Sequence, residues 1–410
     1  MIKYKPMKIL FTGGGTGGSV TPLIAIYQEL DSDERQRQFE FFWIGGKEGI
    51  EKEIVEKYNI KYYPIASGKL RRYFSFQNFI DPFRIIKGFF QSIKILRKTR
   101  PEIIVAAGSY ISVPVVWAGN FLKIPVLVHQ QDIQVGLANK LMSKRAKKIT
   151  VSLEESLKNF PKQKTVFTGN PVRKEALEFY STAGVSQERT PARLRQVMED
   201  ISFPHRSPLQ GDSDGALEET LEQQDKSYIK NKYKLDDLPV VLFIGGGTGA
   251  EQINKAVIKH LEKILQIANV FHIAGKSKKI DIANNIKNIH RYYQFDFMGK
   301  DIFAIMNFAD LVISRAGMST LSELSVLGKP VIIIPIPNSH QEKNANIFYK
   351  NNAAIVYEQK YLEDDSFPEL ISELLTNRSK LNNLSLNIRK MMPNDAAKRV
   401  SEIVMDIIKS

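Results

Sequence analysis

The chain alternates short apolar runs with longer stretches of mixed polarity. Runs such as EFFWIGG, PEIIVAAG, IPVLVHQ and KKITVS are bounded by Gly, Pro or polar residues, and stretches of helical length separate them. Short buried strands that alternate with helices are typical of a parallel sheet covered by helices. The pattern recurs after residue 240 in VVLFIGGG, NVFHIAGK, ADLVISRAG and KPVIIIPIP. We therefore predict an α/β protein with two doubly wound, Rossmann-like domains.

A segment of different composition connects the two predicted domains, and a helix follows the second. We assign an N-terminal domain to residues 1–170, a C-terminal domain to 238–385 and a final helix to 386–410. One face of that helix is apolar and is formed by Val400, Ile403, Val404 and Ile407. Residues 181–225 contain no Lys or Asn, and have four Arg against nine Asp and Glu. This composition indicates an acidic, flexible insertion in the interdomain connection.

Composition excludes several classes of site. A chain of 410 residues that is 43% hydrophobic can form two domains with separate cores. The absence of Cys excludes disulfides, thiolate metal sites and Cys nucleophiles, and fits a reducing compartment. The start, MIKYKPMKILF, lacks the apolar segment of a signal peptide, and no later apolar run reaches about 18 residues. We expect a cytosolic protein that does not span a membrane.

Glycine-rich loops follow the first strand of each predicted domain. GGGTGG occupies residues 13–18 and GGGTG occupies residues 245–249. Such loops allow backbone N–H groups and a helix N-terminus to bind phosphate. The first loop matches G-x-G-x-x-G, but the second strand ends in glycines and Lys47 instead of the acidic residue of a dinucleotide site. Neither loop has the Lys of a P-loop, so hydride transfer and ATP hydrolysis are disfavoured.

A third segment of the sequence suggests a nucleotide-binding site. ADLVISRAGMSTLSELSVLGKPVIIIP, at 309–335, reads as strand, loop, helix and strand, with Ser322 and Glu323 near the start of the helix. A carboxylate there can accept two hydrogen bonds from a ribose diol while nearby N–H groups face a diphosphate. The alternative is that Glu323 only complements the helix dipole.

Six motifs in order resemble the MurG family of glycosyltransferases. They are GGGTGG, HQQDIQVGLANK at 129, GNPVRKE at 169, GGGTGAEQIN at 245, RAGMSTLSEL at 315 and HQEKNANIF at 340. That family transfers N-acetylglucosamine from UDP-N-acetylglucosamine to the lipid-linked muramyl pentapeptide, converting lipid I to lipid II in peptidoglycan synthesis. The resemblance covers the chain except 181–225. It implies the GT-B arrangement, in which two Rossmann-like domains face each other across a cleft, with the donor mainly on the C-terminal domain and the acceptor on the N-terminal one.

The resemblance also implies the residues that bind substrate. Thr16, Gly17 and Gly18 would lie beside the donor and acceptor phosphates, and Arg173 would contact the donor. The second glycine loop, with Gly246, Gly247, Thr248 and Gly249, would approach the diphosphate, and Met298 would hold the uracil. Met318, Ser319, Thr320, Leu321, Ser322 and Glu323 would bind the nucleotide, with Glu323 on the ribose. His340 and Gln341 would reach the sugar.

The chain departs from the family at several of these positions. Ser19 stands where the family usually has His, and Ser cannot serve as a general base near neutral pH. Gln130 and Asp132 replace the usual Glu and Asn, and Gly247 with Thr248 replaces a Ser-Gln pair. The resemblance to the family is therefore stronger than the assignment of individual site residues.

Inverting transfer needs a base for the acceptor hydroxyl and positive charge for the departing UDP. We expect Asp132 to be the base, with His129 as the second candidate, although a His that ends an apolar strand is more often structural. The two Asp-Ser-Asp sequences, at 31–33 and 212–214, follow no strand that faces the cleft. We therefore expect neither metal nor cofactor, with helix N-termini and Arg173 supplying the charge.

The net charge of +14 indicates an anionic partner, which could be nucleic acid, a phosphorylated ligand or a membrane surface. Residues 68–100 hold nine Lys and Arg, one Asp and seven Phe and Tyr. This mixture is typical of an interfacial membrane surface, and we assign that contact to Arg71, Arg72, Phe89 and Phe90. The alternative is an ordinary amphipathic helix. No nucleic-acid module is recognisable, so nucleic acid is not an expected partner.

The expected partners are thus UDP-N-acetylglucosamine, lipid I and an anionic membrane, with the protein peripheral on the cytoplasmic face of the inner membrane. Two alternatives stay open from the sequence. One is another UDP-sugar enzyme of the same fold, either a diacylglycerol glycosyltransferase or a non-hydrolysing epimerase. The other is a UDP-sugar-binding protein without transfer activity, for which Ser19 is the main indication.

Overall fold

The computed structural model describes residues 6–32, 39–47, 49–68, 77–181, 228–245, 251–275, 286–296 and 301–410. Several predicted features lie outside these described residues. They are the membrane contacts Arg71 and Arg72, the nucleotide-binding residues Gly246, Gly247, Thr248, Gly249 and Met298, and all but the first residue of the 181–225 insertion.

The first half of the chain forms a parallel sheet with helices on both faces. Within the described residues this sheet has seven strands, in the order β3-β2-β1-β4-β5-β6-β7. The strands are β1 Met7–Thr12, β2 Phe39–Gly46, β3 Lys61–Ile65, β4 Ile103–Ala106, β5 Val126–Gln130, β6 Lys148–Val151 and β7 Thr165–Phe167. Its helices are α1 Thr21–Asp31, α2 Ile50–Glu56, α3 Gln77–Thr99, α4 Ser112–Phe121 and α5 Leu137–Ser143. Helix α6 Lys174–Ser181 follows β7 and packs against the apolar cluster of the second half through Ala176 and Leu177.

The second half repeats this architecture. Its described strands form a six-stranded sheet in the order β10-β9-β8-β11-β12-β13. They are β8 Val240–Ile244, β9 Asn269–Ile273, β10 Tyr292–Phe295, β11 Leu311–Ser314, β12 Val331–Ile333 and β13 Ile355–Val356. The helices are α7 Glu251–Leu265, α8 Asp301–Phe308, α9 Met318–Leu327, α10 His340–Lys350, α11 Ser366–Thr376, α12 Arg378–Arg389 and α13 Ala396–Lys409.

The strands are short and apolar because both faces of each sheet are covered. In β1, Ile9, Leu10 and Phe11 are fully buried although consecutive side chains point to opposite faces. Every strand pairing in both sheets is parallel, so the carboxyl ends of the strands share one edge. The strand order reverses beside β1 and beside β8, and ligands of such folds bind at that switch point. The two Rossmann-like domains predicted from the sequence are confirmed.

The apolar face of the last helix packs against the first half. Val400, Val404 and Ile407 of α13 are buried in the same apolar cluster as Ile9 and Phe11 of β1. Ile403 lies partly buried against that cluster, so the apolar face predicted for this helix contacts the N-terminal sheet. The chain therefore crosses from one half to the other and returns.

Candidate functional site

Loops from the carboxyl edges of the two sheets meet through direct hydrogen bonds. Ser319 Oγ, at the start of α9, donates to the Gly18 carbonyl at 3.1 Å. The same hydroxyl lies 3.3 Å from Gln131 Oε1. Deeper in the contact, Asn170 Nδ2 donates to Ser322 Oγ at 3.0 Å. The motifs that follow β1, β5 and β7 in the first half are thus brought against α9 of the second.

The inner part of the glycine loop is held by the protein itself. Gly14 N donates to Ser19 Oγ at 3.0 Å, and the same hydroxyl donates back to the Gly14 carbonyl at 2.9 Å. Trp43 Nε1 donates to the Gly13 carbonyl at 3.2 Å. Gly15 takes a φ of +78°, which favours glycine, and its N–H donates to Glu51 Oε2 at 3.1 Å. Ser19 is therefore part of the loop framework.

The outer part of the loop is open. Thr16 is exposed, and Gly17 and Gly18 are half-exposed. A side chain added at Gly17 would meet no atom within 4 Å. These are the residues for which we expect phosphate contacts, and they border the second half through Ser319.

Arg173 and Glu323, both expected to bind the donor, bind each other here. Arg173 Nη2 and Nε lie 2.8 Å and 3.0 Å from Glu323 Oε1. The guanidinium also covers the Phe303 ring at 4.5 Å, a cation–π contact. Burial alone would lower the pKa of Arg173, but the facing carboxylate outweighs it and the pKa is raised. Glu323 is nearly buried, so any ligand reaching it has to compete with this pair.

Asp132 lies at the contact between the halves. Its Oδ1 accepts a hydrogen bond from Asn344 Nδ2 at 2.9 Å, and its Oδ2 is 4.0 Å from His340 Nε2. Asn344 is fully buried, donates also to the Ala316 carbonyl at 3.0 Å, and accepts from Ile133 N at 3.1 Å. One oxygen of the carboxylate is thus fixed from α10, while the side chain is still 35% exposed.

His129 occupies a different environment. It is fully buried, with Nδ1 2.9 Å from Thr150 Oγ1 and Nε2 2.9 Å from Asn170 Oδ1. Burial lowers its pKa to about 4, partly opposed by the Asn170 hydrogen bond. With both ring nitrogens bonded away from the cleft, this geometry favours the structural alternative for His129. Through Asn170 it supports the bond to Ser322.

The residues that we expect to bind the nucleotide and the sugar differ in how far their side chains are buried. Met318 and Leu321 are buried in the C-terminal core, so they could reach a ligand only through main-chain atoms. Thr320 is half-exposed, and Gln341 accepts from Ile336 N at 3.2 Å. Ser339 caps α10, accepting from Gln341 N at 3.2 Å, which fixes His340 in the first helical position.

Sequence reasoning missed Asn344 and Tyr110. Asn344 lies four residues after His340 on one face of α10, so the spacing within HQEKNANIF was an available signal. Tyr110 follows β4, and a Cβ at Gly15 would lie 3.2 Å from its ring. The preceding Gly108 and Ser109 have φ of 72° and 73°, and for Ser109 this is a strained conformation of the kind found at binding sites.

An exposed apolar surface lies on α3 and α4 of the first half. Its exposed members are Phe83, Ile86 and Phe90 of α3, with Trp117 and Phe121 of α4. Phe89 is half-buried, packs against the core of the first half and lies 6.3 Å from the Phe121 ring. Across the described ranges, no helix combines the length and the hydrophobicity that crossing a bilayer requires.

Both halves of the chain match a family model. The Glycosyltransferase family 28 N-terminal domain matches residues 9–151, and the Glycosyltransferase family 28 C-terminal domain matches residues 240–400.

Curated relatives extend over almost the whole chain. A protein of Clostridium botulinum is 36% identical over 401 residues, covering 97% of this chain and 98% of the relative. One from Clostridium perfringens is 36% identical over 388 residues, covering 93% of this chain and 94% of the relative. Both are named UDP-N-acetylglucosamine--N-acetylmuramyl-(pentapeptide) pyrophosphoryl-undecaprenol N-acetylglucosamine transferase.

Solved structures share the two-domain architecture. The crystal structure of Acinetobacter baumannii MurG has a TM-score of 0.62 at 21% identity, covering 98% of this chain and 100% of that chain. A Neisseria meningitidis UDP-GlcNAc 2-epimerase bound to UDP-GlcNAc has a TM-score of 0.61 at 14% identity, with the same coverage. At these identities the likeness establishes the GT-B fold alone. The full-length relatives go further, and the chain belongs to the MurG family within glycosyltransferase family 28.

Proposed function

We propose that this protein transfers N-acetylglucosamine from UDP-N-acetylglucosamine to undecaprenyl-diphospho-N-acetylmuramoyl-pentapeptide, converting lipid I to lipid II in peptidoglycan synthesis. The observation that carries the proposal is its 36% identity to enzymes of that name along 97% of the chain. The structure also supports it, because a candidate base and candidate phosphate-binding groups lie together at the contact between the halves. These are Asp132, Arg173 and the glycine loop, which contact α9 and α10.

Asp132 is the base in this proposal. Inversion at the anomeric carbon requires the acceptor hydroxyl to attack opposite the leaving diphosphate and to lose its proton. Asn344 holds Asp132 Oδ1, which leaves Oδ2 of this partly exposed side chain to accept that proton. His340, at the start of α10 beside Oδ2, would contact the donor sugar.

The departing UDP needs positive charge, which the chain can supply without metal. Glu323 would accept hydrogen bonds from the ribose hydroxyls, and this exchange would release Arg173 from its ion pair toward the diphosphate. Main-chain N–H groups at the start of α9, beginning at Met318, would complete the contacts to the UDP phosphates, while those at Gly17 and Gly18 would face the acceptor diphosphate.

We further propose that the α3–α4 surface binds an anionic membrane, because the lipid-linked acceptor stays in the bilayer. Exposed Phe83, Ile86 and Phe90 are spaced along one face of α3, with Lys87 and Lys94 exposed on the same helix. Trp117 and Phe121 extend the apolar surface onto α4.

Replacing Phe90 and Phe121 together with Ser should weaken binding to liposomes of anionic lipid about tenfold or more, since each ring loses apolar burial in the interface. A sedimentation assay measures this, and exposed Tyr349→Ser, on the second half, is the matched control. Phe89 is a poorer choice because its ring also packs in the core. Unchanged liposome binding by the double variant would contradict the membrane proposal.

Transfer of labelled N-acetylglucosamine from the UDP donor to a short-chain lipid I analogue tests the function itself, with and without EDTA. Transfer that survives EDTA supports the metal-free mechanism. Transfer abolished by EDTA and restored by a divalent cation overturns that mechanism and keeps the reaction.

The structural neighbours include a UDP-GlcNAc 2-epimerase, so epimerisation is the second candidate. Incubating the protein with UDP-N-acetylglucosamine alone discriminates the two. Formation of the 2-epimer without acceptor would favour the epimerase, whereas an unchanged nucleotide sugar that is consumed only with acceptor favours transfer.

A further inference from the structure

Glu51 is a fully buried carboxylate beside the glycine loop, and the proposed mechanism gives it no role. It lies in the first turn of α2, just after β2. Its Oε2 accepts from Gly15 N at 3.1 Å, and its Oε1 accepts from Gly46 N at 3.0 Å. Because β1 and β2 are adjacent parallel strands, this one side chain joins the loop that follows β1 to the carboxyl end of β2.

Three glycines enclose the carboxylate. A Cβ added at Gly14 would lie 2.5 Å from Glu51 Cδ, and one added at Gly46 would lie 2.9 Å from Oε1. A Cβ at Gly49 would overlap the same group. An alanine at any of these positions has to displace the carboxylate or the backbone. The glycine at position 14 therefore makes room for a protein carboxylate, not for a ligand phosphate.

The ionisable side chain suits this place for a specific reason. Two backbone N–H groups converge on it, and a carboxylate offers an acceptor oxygen to each, whereas an amide side chain has one. Burying a carboxylate costs free energy unless it is hydrogen-bonded, and its charge also repels a nearby phosphate. We attribute the presence of this buried carboxylate to the loop geometry that its two hydrogen bonds fix.

We propose that Glu51 is a positioning residue for the acceptor: it anchors the inner glycine loop so that Thr16, Gly17 and Gly18 stay open toward the acceptor diphosphate. This inference rests on the proposed transfer to a lipid diphosphate. Glu51 acts through Gly15, whose positive φ sets the direction of the chain into the open residues. It does not itself touch substrate, since it is fully buried.

The anchored elements all belong to the first half of the molecule. Gly15 follows β1, Gly46 is the last residue of β2, and Tyr110, whose ring packs beside Gly15, follows β4. The proposed nucleotide residue Glu323 lies on α9 of the second half. Loss of the anchor should therefore impair use of the acceptor and leave nucleotide binding intact.

Glu51→Gln tests this assignment, with Glu53→Gln on the exposed side of the same helix as control. The variant leaves one of the two N–H groups without an acceptor and so loosens the anchor, and the KM for the lipid I analogue should rise about tenfold. The Kd for UDP should stay within about twofold. Amide hydrogen exchange should become faster in the segment 13–19 and change little in α9. A fall in kcat with unchanged acceptor KM and unchanged exchange would overturn the proposal.

Gly49→Ala is the second variant, used also if Glu51→Gln does not fold. It keeps the carboxylate but displaces it, and Gly49 has an extended φ of −145° that alanine adopts freely. It should reproduce the rise in acceptor KM; a wild-type acceptor KM would count against the anchor. If the wild-type protein transfers nothing, the proposed function fails, while the exchange comparison between wild type and variants still decides the role of Glu51.

Discussion

The glycine loop after β1 and the first turns of α9 face each other, and they satisfy their polar groups in opposite ways. In the loop, Ser19 and Glu51 of the same half bind the main chain of Gly14 and Gly15. In α9, by contrast, Ser319 reaches across to Gly18 of the first half, and Glu323 binds Arg173, which lies just before α6 in the connection between the halves. The loop is shaped before any ligand arrives, whereas the contacts of α9 have to be exchanged for ligand contacts.

Asp132 belongs to the first half, but its carboxylate is oriented by a hydrogen bond from Asn344 of the second half. Asp132→Asn should lower kcat by about a hundredfold or more, because the amide cannot accept the acceptor proton. Steady-state transfer at saturating donor and acceptor measures this. Asp406→Asn, at an exposed position of α13, is the control and should keep wild-type activity. If Asp132→Asn retains most of the turnover, the base lies elsewhere.

The stability of the two halves in acid can be compared through one fully buried histidine in each, His129 in the first half and His272 in the second. Burial lowers the pKa of each to about 4, while His in an unfolded chain has a pKa of about 6.5. The unfolded state therefore binds more protons below pH 6.5, and the free energy of unfolding falls as pH drops toward 4. Between pH 7 and pH 5 each histidine should remove about 2 kcal/mol.

Urea unfolding of wild type, His129→Gln and His272→Gln at pH 7 and pH 5 measures this contribution. Each variant should reduce the loss between the two pH values by a similar amount. The difference between pH values, not the stability at pH 7, is the relevant quantity, because each substitution also disturbs local hydrogen bonds. A loss identical to wild type in both variants would show that neither histidine is neutral in the folded state.

Removing the hydrogen bond from Ser319 to Gly18 is the smallest change that weakens the contact between the glycine loop and α9. Ser319→Ala removes a hydrogen bond to the Gly18 carbonyl at a half-exposed position, so kcat/KM for transfer should fall severalfold, about fivefold. Thermal stability should hardly change. Ser372→Ala, at a half-exposed position of α11, is the control. A loss above about a hundredfold would mean that Ser319 contacts substrate directly.

The sequence predicted the sheets because their strands are short, apolar and regularly separated, and β1, β8 and β11 lie where the runs indicated. It also predicted, within 309–335, a strand followed by a helix that carries Glu323, and in the structure that helix begins at Met318. These features depend on local pattern. The resemblance supplied the order of the motifs, but not which side chains in them would meet.

The missed contacts depend on tertiary structure. Asn344 and Asp132 are separated by 212 residues, and only the docking of the two halves joins them. The sequence likewise assigned the glycines of GGGTGG to phosphate, whereas Gly14 is packed against the Glu51 carboxylate. A glycine pattern reports that something approaches the backbone closely, and it does not tell a ligand from the protein.

The return of α13 to the first half has a consequence for synthesis. The apolar cluster around Ile9 and Phe11 is completed by Val400, Val404 and Ile407, which emerge from the ribosome after the entire second half. Until then the first half carries an uncovered apolar surface, and a contact of such sequence separation forms late. The nascent first half should therefore depend on a chaperone, or remain partly unfolded, until the second half has been made.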